Sequence, residues 1–105
     1  MDDLSSSIER MVEIEATLGI RLSALSAFLD EDGDVKLLGE AHFSKPPTED
    51  SCASVHVMAY DAEGRMVGKN QSYIGSKGVS FDAFDLMVYG PARPVKRLRV
   101  FLKKE

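Results

Sequence analysis

Apolar and polar residues alternate along most of the chain. Val12, Ile14, Ala16, Leu18, Ile20, Leu22 and Ala24 are separated one by one by Glu13, Glu15, Thr17, Gly19, Arg21 and Ser23. A period of two predicts a half-buried strand rather than a helix. Thirteen extended residues at about 3.3 Å each would span roughly 43 Å, too long for a domain whose radius of gyration should be near 13 Å. The segment must therefore bend, and Gly19 is the natural place. Ahead of it, Ser6 and Glu9 have capping-box spacing, which predicts a short helical turn within residues 4–10 of an otherwise flexible N-terminus. After Leu25 the alternation changes phase, the mark of a bulge.

Turn residues divide the remainder of the chain. Asp30-Glu31-Asp32-Gly33-Asp34 reads as a hairpin turn between two apolar strands. Residues 35–43 place Val35, Leu37, Gly39, Ala41 and Phe43 on one face. Pro46 and Pro47 make residues 44–50 a loop. Residues 52–60 alternate again, with Val55, Val57 and Ala59 on one side and His56, Met58 and Tyr60 on the other. Asp61-Ala62-Glu63-Gly64 turns the chain into a strand over 65–74, and Gly75-Ser76-Lys77-Gly78 is a further loop. Residues 79–89 are apolar with a phase change at Ala83–Phe84, which predicts a second bulge. A last strand runs from Val95 to Lys103, with Leu98, Val100 and Leu102 inward. About seven short strands joined by turns predict an all-β fold: an antiparallel, immunoglobulin-like β-sandwich, one domain over residues 1–105.

Leu29 through Gly68 carries Asp32-Gly33, Leu38-Gly39-Glu40-Ala41, Val55-x-Val57 and Tyr60-Asp61-x-x-Gly64-x-x-Val67-Gly68. This stretch resembles the FxLYD-domain family, and Phe81 and Phe84 fit that family's next strand. The Phe and Leu positions of the motif hold Val57 and Ala59 here. The resemblance implies a small bacterial immunoglobulin-like sandwich of surface or lipoprotein contexts with no assigned enzymatic activity.

Composition narrows the classes. With 105 residues, 44% apolar and 29% charged, the chain is ordinary for a folded domain. The area buried on folding, roughly two-thirds of the unfolded surface, is enough for one core without metal or disulfide. No apolar run approaches the ~18–20 residues of a membrane span. Cys52 is the single cysteine, which excludes an internal disulfide and a multi-cysteine zinc cluster. Met1 to Ser7 is acidic and polar, so no signal peptide is expected. A cytoplasmic address is the default, and export would require a leader that has been removed.

Charge is distributed unevenly. Residues 1–50 carry twelve acids against four bases, and residues 51–105 five acids against nine bases. The basic excess gathers in Arg93, Lys96, Arg97, Arg99, Lys103 and Lys104. On the last strand Arg97, Arg99 and Lys103 share one face with Phe101. That stripe is either the protected edge of a sheet or a surface for a protein partner, by charge complementarity or strand addition, or for a second copy in a homodimer. A pI of 5.2 argues against a dedicated nucleic-acid binder. The expected function is thus a non-enzymatic interaction module, with Arg93, Lys96, Arg97, Arg99, Phe101 and Lys103 as the partner-binding residues.

The alternative is a calcium- or small-ligand-binding accessory domain using the 30–34 loop. Asp30, Asp32 and Asp34 match the first ligand positions of an EF-hand, but Val35 stands where its glycine should be and Ala41 where its glutamate should be. Other carboxylates, Asp61 or Asp82, could complete a surface site. No cofactor is expected. His42, His56 and Cys52 lack a spacing that forces a zinc site, no nucleophile elbow is present, and Asp82 and Asp85 would meet only on a bulged strand.

Overall fold

The two turns with Asp at the first position close as hairpins, and their chemistry is the same. Asp30 Oδ1 accepts the N–H groups of Asp32 and Asp34 at 2.9 and 3.0 Å. Asp61 Oδ1 accepts those of Glu63 and Arg65 at 3.0 and 2.9 Å. Such side-chain bonds mimic a backbone turn. The first hairpin joins β3 (Ile20–Leu29) to β4 (Val35–Phe43), and the second joins β5 (Ala53–Tyr60) to β6 (Met66–Ile74). The computed structural model, which describes residues 2–105, adds β1 (Asp2–Asp3), β2 (Ile8–Arg10), β7 (Phe81–Val88), β8 (Arg97–Lys104) and one helix, α1 (Val12–Leu18).

Eight strands thus form two four-stranded sheets, in the orders β1-β3-β4-β7 and β2-β8-β5-β6. Their inner faces share one apolar core, with Leu22, Leu37 and Val35 from the first sheet and Val55, Val57, Leu98 and Val100 from the second. Gly39 is packed as closely as its neighbours: a Cβ there would lie 2.5 Å from Phe84 Cζ. Asn70 Nδ2 of β6 donates to the Met87 carbonyl of β7 at 2.7 Å, tying the two sheets together along one side.

The first half of the long alternation is helical, not extended. On a helix of about 100° per residue, a two-residue period sends Ile14 and Leu18 to one side and Val12 and Ala16 to the opposite side. Ile14 and Leu18 pack on the core. Gly19 ends the helix in the left-handed region, φ +68°, with its N–H on the carbonyls of α1's last turn. Glycine adopts that conformation without a Cβ penalty. The strand begins only at Ile20.

The N-terminal segment also departs from expectation. Its helical turn is a single 3₁₀ turn at Ser5–Ser7 without a side-chain cap. Around it the chain passes between the sheets, since β1 pairs antiparallel with β3 and β2 pairs parallel with β8. The bulge after Leu25 is present slightly earlier, as a register shift between Ser23 and Ser26 with Ala24 at φ +52°. The expected bulge at Ala83–Phe84 is absent, because β7 pairs with β4 without interruption from Val88 to Phe81. The apparent phase change arises because Phe81 faces out while Phe84 faces in. No helix among the described residues is long and apolar enough to cross a membrane.

Candidate functional site

With Leu98, Val100 and Leu102 buried, the pleat sends Arg97, Arg99, Phe101 and Lys103 to the outer face of the second sheet. Strand pairing sets their neighbours on β5: Tyr60 opposite Arg97, Met58 opposite Arg99, His56 opposite Phe101 and Ser54 opposite Lys103. One strand further, β6 adds Lys69, Gln71 and Tyr73. The face is broad, and it is cationic and aromatic rather than aliphatic.

At one end the Arg97 guanidinium stacks 4.5 Å from the Tyr60 ring centroid, and that of Arg99 lies at 5.4 Å. Together they roof the ring, leaving Tyr60 only 9% exposed. Glu9, delivered by β2, accepts from Arg97 Nη1 at 3.5 Å and from Arg99 Nη2 at 3.3 Å. Both bonds are long and partly exposed, so each contributes about 0–1 kcal/mol. Arg99 Nε is buried without a hydrogen-bond partner. These guanidinium groups are held in place by weak contacts that a partner's carboxylates could replace.

At the other end Phe101 stacks on His56, with centroids 4.9 Å apart and planes 12° off parallel. Ser54 Oγ donates to Glu105 Oε2 at 2.7 Å and lies 2.8 Å from His56 Nε2, whose N–H it therefore accepts. A hydrolytic triad has its histidine between serine and acid. Here the serine is the middle member and is fully buried, so it presents no nucleophile. Burial, then the Lys103 ammonium, holds His56 below its ordinary value of 6.5, with Glu105 opposing and Lys69 adding to the depression. As pH falls through about 6.5 the unfolded chain takes up this proton before the folded one does. Stability is therefore full above that pH and declines as pH drops through the folded pKa. A urea-midpoint series from pH 7.5 to 5 is expected to show this decline, and His56→Gln is expected to flatten it.

The remaining expected partner-binding residues are elsewhere. Arg93 and Lys96 are exposed in the loop ahead of β8, where the Lys96 N–H donates to the Tyr60 carbonyl at 2.8 Å. More consequentially, β8 is not an edge. It lies between β2 and β5, and β2 covers Leu98–Val100, so the reading of the basic stripe as a protected edge is overturned along that stretch. Strand addition at Leu98–Val100 is excluded as well, since β2 already occupies that side. Glu9 could not be assigned to this face from the sequence, because parallel pairing with a distant segment has no local signature. Lys69 belongs to a local hairpin with β5 but joins the face only through the long-range pairing of β5 with β8.

The other candidate clusters are dispersed, with one exception. His42 is on β4 and His56 on β5, in different sheets. Without a bulge in β7, Asp82 and Asp85 point to opposite faces, and Asp82 Oδ2 accepts the Gly75 N–H at 2.7 Å. Asp61 is held within its own turn, where the Arg65 N–H foremost keeps its carboxyl below the usual value. Cys52 is half-buried just ahead of β5. The exception is Asp30, Asp32 and Asp34, whose ligand oxygens lie within 4.8 Å of one another. Asp34 Oδ1 also accepts the Gly90 N–H at 2.7 Å.

No protein-family model and no curated protein matches the chain. Among solved structures it is similar to the crystal structure of Campylobacter jejuni cj0090, with a TM-score of 0.51 at 8% identity. The alignment covers 94% of this chain and 98% of that one. At this identity the likeness concerns the fold alone.

Proposed function

We propose that this chain is a non-enzymatic interaction module, an immunoglobulin-like sandwich of the FxLYD kind, that binds an acidic protein surface or a second copy of itself through the outer face of β8. The observation that carries the reading is the face itself. Arg97, Arg99, Lys103 and Lys69 stand on adjacent strands, with Glu9 the acid that the strand pairing brings among them. Two facing layers and an N-terminal segment shared between sheets support the immunoglobulin-like reading. The connections are the chain's own, since β3 and β4 are joined as neighbours whereas an immunoglobulin domain uses the ABED and CFG orders.

Association through such a face should weaken with salt, because charges are screened over about 10 Å at 0.1 M. The test is a double substitution, Arg97→Gln with Arg99→Gln, chosen so that Glu9 is not repelled. Both side chains are partly exposed, and the expected loss of stability is below about 1 kcal/mol per residue. A protein captured by the native chain is expected to be lost by the variant and by raised salt. For self-association, sedimentation equilibrium is expected to show salt-sensitive dimers. A monomer at every ionic strength, together with capture unaffected by the substitutions, removes the proposal.

The convergence of Asp30, Asp32 and Asp34 carries a second reading, a calcium-binding loop. A ligand of the native state raises its thermal midpoint by mass action. Under this reading millimolar calcium raises the midpoint, and Asp32→Asn, at the carboxylate the turn does not use, abolishes the rise. A midpoint indifferent to calcium ends it.

A further inference from the structure

The alternating residues of α1 leave the helix apolar on two opposite sides, and only one of them faces the core. Val12 and Ala16, four residues apart, share the other side. Among the described residues nothing covers it: Val12 is 58% exposed and Ala16 is exposed too. These two side chains line an open groove of about 550 Å³ that has the buried Ile20 and Phe43 at its base and also takes in Arg21 and His42. The last two are cross-strand partners on β3 and β4. A second hollow of about 400 Å³ shares Gly19, Ile20, Phe43 and Ser44 with the groove and is also lined by Lys45 and Lys104. Cavities of this size suit small molecules.

The unpaired charge among the residues lining the two hollows is cationic. The acid among its lining residues is Glu15, which the Arg10 guanidinium engages through two N–H groups, at 2.6 and 3.3 Å. No acid is among the residues that line the second hollow with Lys45 and Lys104. Arg21 makes no ion pair among the described residues. His42 has Glu40 Oε1 at 3.6 Å and Ser23 Oγ at 2.9 Å, which leaves Arg21 as the cation in the groove's lining without an ion-pair partner among the described residues. A groove walled by Val12, Ala16, Ile20 and Phe43, with a free guanidinium at its rim and a second hollow against the same Ile20 and Phe43, suits a ligand with an apolar body and an anionic head.

We propose that this groove binds a single-chain amphiphile of the long-chain carboxylate class. Its tail lies along Val12, Ala16 and Phe43, and its carboxylate is met by Arg21, whose planar fork suits it. The proposal is independent of the β8 face.

The test is an amide NMR titration of the full chain with laurate below its micelle concentration. Dodecyltrimethylammonium serves as the probe of equal chain length and opposite charge. Saturable shifts are expected at residues 12–21 and 42–48, with the cationic probe about tenfold weaker or worse. Arg21→Gln is expected to weaken laurate by a similar factor, and Val12→Asp to abolish binding. Both positions are exposed, so amide shifts far from the groove should stay native and report an intact fold. Equal binding of the two head groups, shifts centred elsewhere, or laurate binding untouched by Val12→Asp each overturn the proposal. So does a dimer that Val12→Asp dissociates and that takes up no laurate, which would give the groove to a second copy.

Discussion

Replacing Glu15 by alanine is expected to lower the unfolding free energy by about 3 kcal/mol, the low end of what breaking a buried ion pair costs. The carboxylate is 5% exposed and joins three elements. Its Oε1 accepts the Leu22 N–H of β3 at 2.9 Å and Arg10 Nη2 at 2.6 Å. Arg10, at the end of β2, donates in turn to the Leu22 carbonyl at 2.7 Å. Alanine would strand the buried Leu22 N–H, a loss of about 1–3 kcal/mol by itself, and leave the Arg10 guanidinium without its counter-ion. Arg10 is half-buried and can turn to water, which keeps the cost near the lower bound. Glu15→Gln retains an acceptor for Leu22 and is expected to lose about half as much. Thermal unfolding followed by circular dichroism measures both. For a domain of this length the alanine variant should melt more than about 10 °C below the native chain. A drop of only one or two degrees would show that the pair does not hold α1 against β3.

Leu98→Ala is expected to cost about 3–4 kcal/mol, from lost burial plus the cavity it leaves. Leu98 is fully buried between the sheets and is flanked within its own sheet by Ile8 on β2 and Ala59 on β5. Its sequence neighbours Arg97 and Arg99 point the other way, and their neutral replacements are expected to cost less than about 1 kcal/mol each. The contrast between adjacent residues is what separates a docking face from a core. Urea denaturation tests it directly: the midpoint should fall sharply for Leu98→Ala and little for the arginine variants, with similar slopes. Comparable losses at all three positions would mean that the alternation of β8 is misassigned and that the basic face is part of the packing.

The candidate sites were legible to different degrees. The outward row of Arg97, Arg99, Phe101 and Lys103 could be read from the strand period alone, because a pleat sends alternate side chains to opposite sides whatever the neighbours are. Its counterparts Tyr60, Met58 and His56 were legible as a row too, but not as the row beside it. The 30–34 turn was legible because an aspartate followed by Asp-Gly folds locally. The groove was not, because its wall is α1 and the period of α1 is that of a strand.

The strands from Ile20 onward, both hairpins and the inward residues Val35, Leu37, Val55, Val57, Leu98 and Val100 are determined by the sequence itself. Alternation and turn chemistry act within a few residues and need no distant partner. Only the tertiary structure decided three further matters. Residues 12–18 became a helix because Glu15 finds Arg10 and Leu22 in that conformation and Gly19 ends it with φ +68°. Residues 8–10 became a strand because β8 offered an open side for parallel pairing. That same pairing moved the Leu98–Val100 stretch of β8 from the edge of its sheet to the interior, and it carried Glu9 to the two arginines. The pairing of β2 with β8 joins segments at opposite ends of the chain. The contacts of Glu15, though only five and seven residues away, form only once β2 and β3 are in place. Local propensity is too weak to choose either.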